Sequence, residues 1–109
     1  MKKSLYIAFI LITSFIFNNQ TLADSKDQDC VRTIKKHGFL SRAQFQCGFN
    51  DYSNEMLQAA KACSHVLSDE LLEQSLKSGM KIFDRNENER GHNELCEDIL
   101  RDFPNMLRR

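Results

Sequence analysis

The residue pattern predicts an all-α fold, a small antiparallel bundle of about four helices stapled by two disulfides. Three observations carry that expectation. Apolar residues recur at helical spacing, as in Phe45, Phe49, Tyr52, Met56, Ala59, Cys63 and Val66, at intervals of 4, 3, 4, 3, 4 and 3. No run of alternating apolar and polar residues is long enough to argue for a strand. Four cysteines, Cys30, Cys47, Cys63 and Cys96, follow a segment with the character of an export signal. An even cysteine count in an exported chain reads as a disulfide framework.

The export segment has three parts. Lys2 and Lys3 form a short basic start, Leu5 to Phe17 is a thirteen-residue apolar run broken only by Thr13 and Ser14, and a polar stretch ends Thr21-Leu22-Ala23. Small residues occupy the two positions a signal peptidase inspects, so residues 1–23 are expected to be a signal peptide and 24–109 a single domain. A bilayer core takes about 20 helical residues, so this apolar run is too short for a retained membrane anchor. The basic start and compact signal point to a bacterial periplasm or the extracellular space.

The mature chain is then 86 residues with 13 basic against 15 acidic side chains, a net charge of −2. Proteins that bind nucleic acid by neutralising phosphates show a basic excess, so nucleic acid is not an expected partner. A chain this short buries only about 60% of the surface it exposes when unfolded. Two disulfides at about 2–4 kcal/mol each rival the whole stability of such a domain.

The helices are expected in the following order. Ser25 with Gln28 fits a capping box opening a first helix that carries Cys30, Val31 and Ile34 on one face, and His37-Gly38 closes it. Ser41 with Gln44 repeats the capping pattern, with Leu40 and Phe45 placed as a hydrophobic staple. The long apolar seam then argues for a second helix from about Ser41 to Leu67. Gly48 costs that helix about 1 kcal/mol, and Asn50-Asp51 followed by Ser53 offers a restart if the chain kinks there. Ser68 with Asp69 and Glu70 caps a third helix whose core face is Leu72, Leu76, Met80 and Phe83. Residues 84–90 read as a charged connection. Gly91 leads into a fourth helix with Leu95, Cys96, Ile99, Leu100 and Phe103, which Pro104 ends.

This arrangement dictates a disulfide pairing. On a continuous second helix, Cys47 and Cys63 stand sixteen residues, or roughly 24 Å, apart. A disulfide tolerates no more than about 7 Å between α-carbons, so that bond needs a helix break near Gly48. Cys30 lies eight residues before Gly38 and Cys47 nine after, at matching heights of a hairpin. The expected pairs are therefore Cys30–Cys47 and Cys63–Cys96.

No catalytic or metal constellation emerges. His92 and Cys96 share a helix face, and Cys63-Ser64-His65 offers further soft ligands, but the spacing matches no zinc pattern and oxidised cysteines do not ligate. Neither C-x-x-C nor C-x-x-C-H occurs, which leaves disulfide-exchange and c-type haem motifs unsupported. Secreted phospholipases A2 share the size and the disulfides, but Cys63 is followed by Ser64-His65-Val66 without their adjacent His-Asp dyad. No catalytic residue, cofactor or metal is expected, and an 86-residue bundle offers little volume for a substrate pocket.

The expected function is therefore binding to another protein, as an inhibitor, an immunity protein or an accessory subunit of an envelope process. The aromatic-rich stretch from Phe39 to Tyr52 would supply the anchors, with Phe39 and Tyr52 the residues to reach the surface. Two alternatives stand beside it. The size and helicity are similar to those of acid-activated periplasmic chaperones, and the signal equally suits an effector exported by a host-associated bacterium.

Overall fold

Four helices follow one another in the computed structural model, which describes residues 25–109: α1 (Ser25–Cys47), α2 (Asn54–Val66), α3 (Asp69–Arg90) and α4 (His92–Asp102). The all-α bundle is as expected. The export segment, residues 1–23, lies outside the described residues.

The first helix is longer than its sequence suggested. Gly38 does not end it; α1 runs on for 23 residues to Cys47, about 34 Å. The reason lies in α3. A Cβ on Gly38 would collide with the Leu76 carbonyl oxygen, and one on Gly79 would meet the Phe39 amide nitrogen at 2.8 Å and the Lys35 carbonyl oxygen closer still. The two glycines thus face each other's helix and let the backbones of α1 and α3 touch. Tertiary packing here overrides the cost of a mid-helix glycine, about 1 kcal/mol. Ser41 is accordingly no cap: its hydroxyl donates back to the Gly38 carbonyl at 3.3 Å.

α1 ends at Gly48, whose φ of +70° is open to glycine but not to a continuing helix. The single long second helix is therefore split, and the restart at Ser53 is the one used. The Ser53 hydroxyl accepts from the Met56 amide at 3.2 Å. Ser68 does the same for Leu71 at the start of α3, also at 3.2 Å. That helix absorbs residues 84–90, expected as a connection, and stops at Gly91, φ +94°. Arg42 donates to Asp84 at 3.1 Å, tying this extension to α1.

Consecutive helices run antiparallel, so α1 and α3 run parallel: Phe39 meets Phe83 and Arg42 meets Asp84 in increasing order along both. Between Gly48 and α2, β1 (Asp51–Tyr52) pairs antiparallel with β2 (Leu107–Arg108), with Asp51 opposite Arg108 and Tyr52 opposite Leu107. No strand was expected, because a two-residue ribbon has no periodicity to read. Its buried Leu107 ties the C-terminal segment into the core.

Two apolar clusters flank the glycine crossing. One holds Leu40, Ala43, Phe49, Met56, Phe83, Leu95, Cys96, Ile99 and Leu107. The other holds Cys30, Ile34, Ala60, Cys63 and Leu67, with Leu72 and Leu76 at its edge. The core stripe of α3 includes the small residues Ser75 and Gly79 with Phe83, while Leu72, Leu76 and Met80 are half-buried.

The disulfides differ from the expected pairs. Cys30 bonds Cys63 and Cys47 bonds Cys96, with α-carbons 5.1 and 5.7 Å apart. Once α1 passes through Gly38, Cys30 and Cys47 stand seventeen residues apart on one rigid helix, roughly 25 Å. The helical-rise argument that bars Cys47–Cys63 on a continuous helix therefore bars Cys30–Cys47 instead. Each bond sits within one of the two clusters. Two such bonds place the folded domain in an oxidising compartment outside the cytosol. Among the described residues, no helix is long and apolar enough to cross a membrane.

Candidate functional site

Among the described residues, Phe45 is the largest exposed apolar side chain, with 80% of its surface open to water. It was expected in the core as a staple partner of Leu40, and the reason it is not follows from helix geometry. Leu40 and Ala43 are both fully buried on α1. At 100° per residue, a position two beyond Ala43 lies about 200° around the helix, on the opposite side. The break at Gly48 then lets Phe49 turn back into the core alone. A hollow of about 350 Å³ lies beside Phe45, lined by Gln44, Gly48, Phe49 and Asn50. The helix end that presents it is pinned by the Cys47–Cys96 bond two residues on.

The two aromatic anchors read from the sequence lie elsewhere. Phe39 is half-buried, its ring edge-on to Phe83 at 5.9 Å and tilted against Phe103 at 6.3 Å. The Lys36 ammonium lies over the Phe103 ring, 5.8 Å from its centre. Tyr52, also half-buried, shares a 2.8 Å hydrogen bond between its hydroxyl and His37 Nδ1, the two rings edge-on. Burial holds the His37 imidazole below its ordinary 6.5, and it pushes the Tyr52 phenol up to about 12. Both shifts favour the neutral forms of the two groups. His37 also borders an apolar groove of about 330 Å³ with Ile34, Leu57, Leu72 and Leu76. On its other side Tyr52 lines a wider cleft of about 530 Å³ with Asp51, Glu55, Asn105 and Arg108.

Of the four soft ligands noted in the sequence, the fold brings together only His92 and Cys96. Cys63 is bonded to Cys30 in the other cluster. His92 Nε2 stands 3.8 Å from Cys96 Sγ, and its Nδ1 is 2.7 Å from Glu87 Oε2. Glu87 was missed because residues 84–90 read as a connection. As the last turn of α3, that stretch lays Glu87 across the Gly91 corner from His92, and the i, i+5 spacing over a glycine was the available signal. Among the described residues, no group of three or more His, Cys, Asp or Glu side chains is placed to hold a metal ion.

No family model matches the chain, and neither does any curated protein or solved structure.

Proposed function

We propose that this exported protein acts by binding another protein, with Phe45 at the end of α1 as the central contact. The exposure of Phe45 carries the reading. A large aromatic with 80% of its surface in water, next to a hollow, is the kind of group that dominates binding energy when a partner covers it. Its setting favours tight association. The α1 terminus is fixed by a disulfide, by the Gly48 turn and by the capped restart at Ser53, so little ordering cost falls due on binding. An inhibitor, an immunity protein and an accessory subunit of an envelope assembly all work through such a preformed helical surface. The oxidising compartment is then the bacterial periplasm or the exterior, in keeping with the export segment.

The test is paired affinity capture from periplasmic extract with the oxidised mature protein and its Phe45→Glu variant. One polypeptide retained by the wild type at fixed stoichiometry and lost with the variant is the expected result. Equal capture by both proteins, or capture of nothing, overturns the proposal. Circular dichroism should show the variant folded, as the exposure of Phe45 allows.

A further inference from the structure

We infer that Cys47–Cys96 is an exchangeable disulfide: a thiolate attacks Cys47 Sγ, and Cys96 leaves with its charge taken up by His92. Cys30–Cys63 plays no part in this and serves as structure. The distinction starts from accessibility. Cys30, Cys63 and Cys96 are all buried, at 9%, 8% and 6% exposure, whereas Cys47, the last residue of α1, is only partly buried. Of the four, Cys47 is the cysteine with the most surface open to an attacking thiolate.

The second observation concerns the leaving sulfur. His92 Nε2 lies 3.8 Å from Cys96 Sγ, while Nδ1 lies 2.7 Å from the Glu87 carboxylate. Both neighbours are acceptors, and only the doubly protonated imidazolium donates at both nitrogens. Glu87 therefore orients the ring, with Nε2 turned towards the sulfur. Thiol–disulfide exchange is faster when the departing thiolate is stabilised. Cys30–Cys63 lies instead in the cluster of Ile34, Ala60 and Leu67.

The exchange balances without a further reactant. The incoming thiolate sulfur forms a bond to Cys47 Sγ, the Cys47–Cys96 bond breaks, and the electron pair stays on Cys96, which takes the Nε2 proton. A second thiolate attacks the mixed disulfide and releases Cys47 as a thiolate that takes a proton from water. Two thiols become one disulfide while the protein bond is reduced to two thiols. The fold tolerates this opening because α4 keeps its other ties: Leu95 and Ile99 stay in the core, and Asp98 pairs with Arg90 across the Gly91 corner. The thiolate belongs either to a small thiol or to a cysteine of a polypeptide whose flanking apolar residues settle against Phe45.

Timed reaction of the oxidised protein with reduced glutathione, followed by alkylation and peptide mapping without reduction, tests the inference. A parallel arm uses a short peptide with one cysteine between leucines. Cys47 and Cys96 should be labelled first, at least tenfold ahead of Cys30 and Cys63. His92→Gln should slow the opening roughly tenfold and lower the reduction potential of this bond, because the departing sulfur loses its proton donor and the reduced Cys96 its hydrogen-bond partner. Glu87→Gln should move both in the same direction by less. A faster reaction per thiolate with the peptide assigns the polypeptide source, and equal rates assign the small thiol. Opening of Cys30–Cys63 first, or of both bonds together, overturns the inference. So does a His92→Gln protein whose rate and potential equal those of the wild type.

Discussion

Gly79→Ala should destabilise this protein, although the same change in an ordinary helix stabilises it. The added methyl gains about 1 kcal/mol of helix propensity. Against that, its carbon would stand 2.8 Å from the Phe39 amide nitrogen and 2.9 Å from the Lys35 carbonyl carbon, with the Lys35 oxygen nearer still. All three are backbone atoms of α1, so no rotamer change relieves the contact. The helices must part by about 1 Å over the crossing, and overpacking of this kind costs typically 1–3 kcal/mol. Parting also loosens Phe39 against Phe83, which sits fully buried one turn on. Because every contact is with backbone, the cost falls in the upper part of that range, about 2–3 kcal/mol, and the net loss is about 1–2 kcal/mol, or roughly 5–15 °C in Tm for a domain of this size. Urea and thermal unfolding of the oxidised protein, read by far-ultraviolet circular dichroism, measure it. Gly38→Ala meets the Leu76 carbonyl across the same crossing, so the double variant should lose less than the sum of the singles. A Gly79→Ala protein as stable as the wild type would mean that α1 and α3 do not touch there.

Three further outcomes are expected. Peptide mapping without reduction should find Cys30 joined to Cys63 and Cys47 to Cys96, and removing Cys30–Cys63 by paired serine substitution should cost about 2–4 kcal/mol. His37 takes up its proton less readily in the folded state than in the unfolded chain, so stability should fall as pH drops below about 6.5 towards the lower folded value. His37→Gln should flatten that slope in denaturant titrations at pH 5 to 7, and an unchanged slope would mean that another group is responsible. Ser53→Ala should lose about 1 kcal/mol with the Met56 cap, whereas Ser41→Ala, mid-helix, should be near neutral; equal losses would place a helix start at Ser41 after all.

The class of fold was legible because helical spacing and serine caps are local signals. Ser53 and Ser68 each stand before a helix and satisfy an amide three residues on, and nothing distant is needed to see it. Gly38 shows where local reading ends. A glycine after a histidine looks the same whether it stops a helix or makes room for another one. The deciding partner, Gly79, lies forty-one residues away on α3. Everything downstream inherits that ambiguity: the hairpin that would have paired Cys30 with Cys47 vanishes when α1 continues. Phe45 was misplaced by a related effect, since a seam drawn across Gly48 carries the phase of α2 back onto α1, where it no longer applies. Of the candidate sites, His92 with Cys96 was visible from their spacing of four, while Glu87 required the length of α3 to be known.

Why two disulfides are placed as they are follows from the glycine crossing. Where α1 and α3 touch backbone to backbone, no room is left for large side chains, so apolar volume collects on either side rather than at the centre. Each half-core is small, and each contains one disulfide. Cys30–Cys63 closes thirty-three residues and holds α2 against the start of α1; Cys47–Cys96 closes forty-nine and holds α4 against its end. A bond that constrains one half contributes little to the packing of the other. Opening Cys47–Cys96 should therefore soften the end that carries Phe45 while the Cys30–Cys63 end stays intact. Hydrogen exchange on protein with only that bond reduced should show faster exchange confined to α4, the β1–β2 ribbon and the last turns of α1. Exchange that rises equally in α2 would mean that the two clusters unfold as a single unit.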